Sequence, residues 1–154
     1  MTVIGTIIGI FAGEHRFLSN FWPAPVRVHG ILCPTVEHAY QASKVSAGPA
    51  DHAFREIVRA RTPGEAKRLA RRIPFILRPD WDRVRVDVMT GLVEQKFAYG
   101  TALAARLVAT GRAELREGNH WGDRFWGVDL RTGEGQNWLG QILMNHRDFL
   151  NGLC

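Results

Sequence analysis

Cysteine is nearly absent from this chain: Cys33 and the terminal Cys154 are the only two in 154 residues. A count that low excludes a disulfide framework, and with no Cys-x-x-Cys or His-x-x-x-His spacing the usual zinc patterns are missing too. A long apolar run is also missing, since "TVIGTIIGIF" is broken at Gly9 and falls short of the roughly 20 residues of a membrane span. Neither a basic leader nor a small-residue cleavage site opens the chain. Repeats, low-complexity tracts and linkers are lacking as well. These absences predict one domain over residues 1–154 that is soluble and cytoplasmic, has no membrane partner, and works without metal or cofactor.

Lysine is scarce, but positive charge is not. Twenty Lys and Arg stand against fifteen Asp and Glu, and three of the twenty are lysine: Lys44, Lys67 and Lys96. Between Arg55 and Arg85 the excess is sharpest, because nine arginines and Lys67 meet only Glu56, Glu65, Asp80 and Asp82. Arginine forks match phosphate oxygens, so the segment suits an anionic partner; a solvated helix face gives the same pattern.

The β-branched opening reads as a strand, and "APVRVHGILCP" as a second strand or a hairpin turning at His29-Gly30. Pro34-Thr35 offers a stop and an N-cap for a helix from about Val36 to Ser46. Further helices are predicted over Asp51–Ala60, Pro63–Arg72, from near Asp80 with Trp81, Val84, Val88, Leu92 and Phe97 on its apolar face, over Thr101–Ala109, and from a cap at Asn137 through Leu150. The fold class that follows is an α-rich α+β domain, mainly helical, with a small β element near the N-terminus.

Three stretches carry chemistry. In "TVEHAYQASK" the positions of Glu37, Tyr40, Gln41 and Lys44 are i, i+3, i+4 and i+7, one stripe of a helix at about 100° per residue. The other side offers Val36, Ala39, Ala42 and Ser43, too small to anchor the helix alone, so both sides are expected to be enclosed; a water-facing stripe is the plain alternative. The irregular "EGNHWGDRFWGV" presents Asn119, Trp121, Asp123 and Trp126, either as a binding loop or as core-plugging tryptophans around a turn capped by Asp123. Around Ser19 and Asn20 the aromatics Phe17, Phe21 and Trp22 suit a base or sugar, and equally a core-and-turn segment.

Taken with a central Trp81, Met89, Lys96 and Phe97 and with "G.N.LG..LM..R" from Gly135 to Arg147, the motifs "RFLSNFWPAPV", "TVEHAYQASK" and "TG…L.EGN.W.D.FWGV" resemble the NADAR, or YbiA-like, family in order along nearly the whole chain. The resemblance implies a YbiA-like fold and N-glycosidase activity connected with NAD and ADP-ribose metabolism. Two substrate classes are implied: guanine ADP-ribosylated on its exocyclic amine in nucleic acid, with a toxin ADP-ribosyltransferase as counterpart, and the small phosphoribosylamino-pyrimidine metabolites of early riboflavin synthesis. The arginine-rich middle puts ADP-ribosyl-guanine slightly ahead.

In both substrates a phosphorylated ribose is joined to an amine outside the heterocycle. Lys44, the only lysine in the first 66 residues, is therefore a candidate nucleophile through a Schiff base, or else a fixed positive charge. Glu37 is expected as base or electrostatic stabiliser, and Asp123 as the second catalytic carboxylate. Ser19, Asn20, Phe21, Tyr40, Gln41, Trp81, Asn119, Trp121 and Trp126 are the expected substrate-binding residues, and Arg16 and Arg147 are candidates for phosphate. A non-catalytic ADP-ribose or nucleic-acid binding module is the alternative of a different class.

Overall fold

The computed structural model describes residues 5–153. In chain order its elements are β1 (Ile7–Ile8), a 3-10 turn (Gly13–Leu18), β2 (Val26–Val28), β3 (Ile31–Cys33), α1 (Val36–Ser43), α2 (His52–Arg59), α3 (Pro63–Arg72), α4 (Trp81–Lys96), α5 (Ala102–Ala109), β4 (Glu114–Leu115), β5 (Gly118–Asn119), β6 (Val128–Asp129) and α6 (Trp138–Gly152). Helices dominate, as the periodicity predicts. Contacts gather the chain into two units, Asn20–Lys96 and the remainder on either side of it.

In the Asn20–Lys96 unit, His29 and Gly30 both take positive φ, 49° and 74°, the two-residue turn whose twist matches a hairpin. It sets β2 antiparallel to β3 with Val26 opposite Cys33. The edge of β2 is closed by an amide: Gln95 accepts from the Arg27 N–H at 2.7 Å and donates to its carbonyl at 3.0 Å. Burial pushes the Cys33 thiol up to about 11, which leaves it a packing group rather than a nucleophile.

Each of the next three helices starts on a side-chain cap. Thr35, Asp51 and Thr62 accept from the N–H groups of His38, Ala53 and Glu65, satisfying donors that a helix start leaves open. Helices α1, α2 and α3 pack on one another around Ala42, Val45, Phe54, Ile57 and Ala66. Fully burying a side chain such as Phe54 or Ile57 contributes about 1.5–3 kcal/mol. The α1 helix ends at Ser43, three residues before the expected Ser46, because the chain there turns into a strand-like pairing: Ser46 donates to the Ile76 carbonyl and Arg78 to that of Lys44. On α4 the buried residues are Trp81, Met89, Leu92, Val93 and Lys96, while Val84 and Val88 are half-buried and Phe97 lies past the helix end.

In the other unit the opening strand is shorter than the sequence suggests. Within the described residues it is Ile7–Ile8, parallel to β4, and the ladder stops at Gly9; residues 2–4 of the expected strand lie outside the described range. The β5 strand runs parallel to β6, and α5 packs on α6. Motif glycines stand where backbones meet: a Cβ on Gly118 would strike the Gly9 carbonyl, and one on Gly140 the Leu115 carbonyl and the Asn137 side chain. Asn137 precedes α6 as expected but makes no side-chain cap. It sits in the left-handed region at φ 53°, its amide reaching back to donate to Leu115 O and accept from Glu117 N–H.

Candidate active site

Every residue of α1 is buried, from Val36 at 0% exposure to Glu37 and Tyr40 at 7%. Glu37, Tyr40 and Gln41 of the polar stripe therefore do not face water, and the small residues opposite them allow that enclosure; Lys44, which caps the helix end, is half-buried. Thr35 and His38 hold the start of the helix. The Thr35 Oγ1 accepts from the His38 N–H at 3.1 Å and lies 2.8 Å from His38 Nδ1, while His38 Nε2 is 2.9 Å from the Ala60 carbonyl. A carbonyl only accepts, so Nε2 carries the proton and Nδ1 accepts from the threonine hydroxyl. Burial holds the His38 pKa below its ordinary value, against the opposing pull of Ala60.

Glu37 is in the first turn of α1, at the positive end of the helix dipole. Its N–H donates to the Asn20 carbonyl, and its Oε1 accepts from Gln41 Nε2 at 2.8 Å. Tyr40 meets the Trp81 ring at 5.2 Å between centroids, and Lys44 Nζ lies 5.2 Å from the centre of the same Tyr40 ring. Burial lowers the Lys44 pKa; Glu37 opposes that shift, and Arg71, Lys67 and Arg85 reinforce it. A half-buried lysine with cationic neighbours has more of its neutral, nucleophilic form than a solvated one at the same pH.

The structure thus brings Glu37, Tyr40, Gln41, Lys44 and Trp81 together on two packed helices. Asn20 adjoins them through its carbonyl, its amide reaching Met89 Sδ at 3.5 Å. Phe21 is 45% exposed. Ser19 belongs to the other unit, where its N–H closes the 3-10 turn on Arg16 O.

In that other unit Asn119 and Asp123 organise a loop. The Asn119 amide nitrogen donates to Asp123 O at 2.8 Å and, over longer distances, to Val128 O and Glu117 O, and its oxygen accepts the Asp123 N–H at 2.9 Å. Asn119 is 1% exposed. Its polar capacity is spent inside the protein, where sequence reasoning expects it to read a ligand edge. Asp123 Oδ1 accepts from the N–H groups of Phe125 and Trp126 at 3.0 and 2.9 Å, the turn-capping arrangement of an aspartate. Trp126 is half-buried edge-on against Phe125, whereas Trp121 is 67% exposed.

Arg147 also turns inward. It donates to Thr110 Oγ1 and to Ala113 O, both at 2.8 Å, and is 5% exposed; a phosphate would have to displace those bonds. Arg16 is exposed. Residue types and spacing leave His38 unnoticed, although its place three residues after the Thr35 cap is a usable signal.

The NADAR domain family model matches residues 10–151. The chain belongs to the NADAR family. The NADAR chain superimposes on the NMR structure of the Escherichia coli protein YbiA with a TM-score of 0.81 at 34% identity, covering 99% of this chain and 89% of that one. The shared fold is the helix-rich α+β fold of YbiA. N-glycosidase YbiA of Shigella boydii is 36% identical over 94% of this chain and 89% of its own length. A riboflavin biosynthesis protein of Vibrio vulnificus is 43% identical over 89% of this chain, which spans 36% of that protein's length. N-glycosidase, the enzyme class read from the NADAR motifs, is thus the class named for a relative that matches the chain almost end to end. No helix among the described residues is long and apolar enough to cross a membrane.

Proposed function

We propose that this chain cleaves the bond between C1′ of a phosphorylated ribose and the exocyclic amine of a heterocycle. The observation that carries the reading is at α1: a buried carboxylate on that helix, fixed by its neighbour at 2.8 Å, is joined at the helix's C-terminal cap by a half-buried lysine held below its ordinary pKa.

The mechanism follows from the substrate's chemistry. An N-glycoside of an exocyclic amine opens its sugar to an imine at C1′. The neutral Lys44 amine adds to that carbon, and collapse of the adduct expels the protonated heterocyclic amine and leaves a Schiff base on Lys44. Water then hydrolyses that imine, returning the free lysine and the sugar. Glu37 takes the proton from the attacking water and steadies the positive carbon. Gln41 orients Glu37, and Tyr40 and Trp81 form the aromatic wall beside Lys44. Asn119 and Asp123 shape their own loop, which presents Trp121 and Trp126; in the unit that holds α1, the exposed ring of Phe21 suits stacking on a heterocycle.

The name of the Vibrio relative favours a phosphoribosylamino-pyrimidine of riboflavin synthesis as substrate. A second reading, ADP-ribose on the amine of guanine in nucleic acid, is favoured by the positive excess between Arg55 and Arg85. A mass-spectrometric release assay offering both tests them together. Base release from the small molecule alone selects the first reading and release from an ADP-ribosylated oligonucleotide the second; release from neither leaves a binding module.

A further inference from the structure

Lys44 stands one helical turn beyond Tyr40, a spacing that lets the two side chains meet. Its Nζ lies over the Tyr40 ring, 5.2 Å from the centre, and the Trp81 ring meets that same ring at 5.2 Å with a tilt of 50°. Tyr40 is 7% exposed and Trp81 6%, while Lys44 is half-buried. A cation within about 6 Å of an aromatic face is attracted by the ring's quadrupole, and the attraction grows where water is excluded. Among the charges acting on Lys44, Glu37 on its own helix attracts, whereas Lys67 and Arg71 on α3 and Arg85 on α4 repel. The aromatic face is thus a second source of negative potential at Nζ, and unlike Glu37 it takes no proton from water.

We propose that the Tyr40 ring face steadies the positive charge on Lys44 Nζ, in the protonated Schiff base as in the resting ammonium. The assignment rests on the N-glycosidase reading and moves Tyr40 from binding the substrate to serving the nucleophile. The chemistry shows where the charge arises. Neutral Nζ adds to C1′ of the protonated imine and becomes positive; one proton passes from Nζ to the heterocyclic nitrogen, the C1′ bond to that nitrogen breaks, and the lysine Schiff base is left protonated with its charge shared by Nζ and C1′. Glu37 is then free of the task of balancing that charge alone and serves as base toward water. Because the ring favours the ammonium as much as the Schiff base, its effect on the covalent intermediate shows only where the resting lysine is neutral.

The test compares Tyr40→Phe with the same protein carrying pentafluorophenylalanine at residue 40. The two rings have nearly the same shape and pack alike on Trp81, but fluorination reverses the sign of the face. The chain has three lysines, so isotope-labelled lysine gives a separate NMR signal for residue 44. The Lys44 ammonium is expected to titrate at lower pH in the fluorinated protein than in Tyr40→Phe. At a pH above both titrations, borohydride added during turnover of a phosphoribosylamino-pyrimidine should trap about tenfold less adduct in the fluorinated protein, the effect of one desolvated cation–aromatic contact. Well below both titrations the trapped amounts should agree within about twofold. Coincident titrations, or a loss of adduct that is the same at every pH, overturn the assignment, since a ring that only fills space acts on neither charge. If wild type releases no base, the N-glycosidase reading fails by itself and the titrations still decide the ring: a lower one in the fluorinated protein supports its hold on the Lys44 charge, and coincidence overturns it.

Discussion

Gln41 donates its amide to Glu37 Oε1 at 2.8 Å, one turn further along the same buried helix. A carboxylate held in this way cannot swing to water, which suits a group that must meet a reacting atom in one orientation. Replacing it with an amide of the same shape keeps the packing and removes the base. Glu37→Gln is expected to lower kcat by about 10²–10⁴-fold while substrate affinity, read by isothermal titration, changes little. Wild-type turnover by this variant would take Glu37 out of the mechanism.

Lys44 makes a sharper prediction because its proposed role in catalysis and its effect on stability have opposite signs. Its pKa is lowered in the folded protein, first by burial and then by Arg71, Lys67 and Arg85. A lowered lysine pKa means that the folded state disfavours the ammonium; this penalty is complete below the folded pKa, shrinks as pH rises through it and disappears above the unfolded value near 10.4. Lys44→Met should therefore raise Tm at pH 7, by about 2–4 °C for each kcal/mol regained, while abolishing turnover. Borohydride added to wild type during turnover should leave a ribose-derived mass on the peptide carrying residue 44. Finding no adduct under conditions that trap another Schiff-base enzyme would leave direct hydrolysis by water.

Local chemistry made much of this fold legible. Thr35 announces its helix because a cap is a short-range bond, Pro63 announces the next but one because it suits a first turn, and His29-Gly30 announces its hairpin because the turn requires positive φ. Long-range partners were not legible. Nothing in the spacing of α1 shows that α2, α3 and α4 pack on it, or that Arg85 acts on Lys44. The motif residues were found, but some of them for a different reason. Asn119 looks like a ligand-binding residue in sequence, yet its side chain bonds backbone groups of its own loop, and Gly118 and Gly140 of the same motifs stand where backbone segments meet.

His38 sets a pH dependence of stability. Its pKa is lowered by burial, so its contribution is fully present above the unfolded value of about 6.5 and is lost as pH falls from there toward the folded pKa. Thermal unfolding of wild type should show Tm falling through that window. His38→Gln should be less stable at pH 7, having lost the ring's bonds to Thr35 and Ala60, and its Tm should fall less steeply with acid. Equal slopes for the two proteins would assign the acid sensitivity elsewhere.

The loop from Asn119 to Val128 depends on one amide. Asn119 donates to the carbonyls of Asp123, Val128 and Glu117, and its oxygen holds the Asp123 N–H. Asn119→Asp has almost the same shape but turns the donor into an acceptor facing three carbonyl oxygens. Each buried group left unsatisfied costs about 1–3 kcal/mol, more where a charge is involved. Asn119→Asp should therefore shift the urea midpoint well below wild type, and Asn119→Ala, which loses the amide's bonds to the Asp123 carbonyl and N–H without adding charge, should fall between the two. Because Asp123 Oδ1 fixes the backbone at Phe125 and Trp126, the near-ultraviolet signal of the tryptophans should weaken in both variants before global unfolding. If Asn119→Asp retains the wild-type midpoint and spectrum, the amide is not what holds the loop, and a ligand-reading role for Asn119 regains its claim.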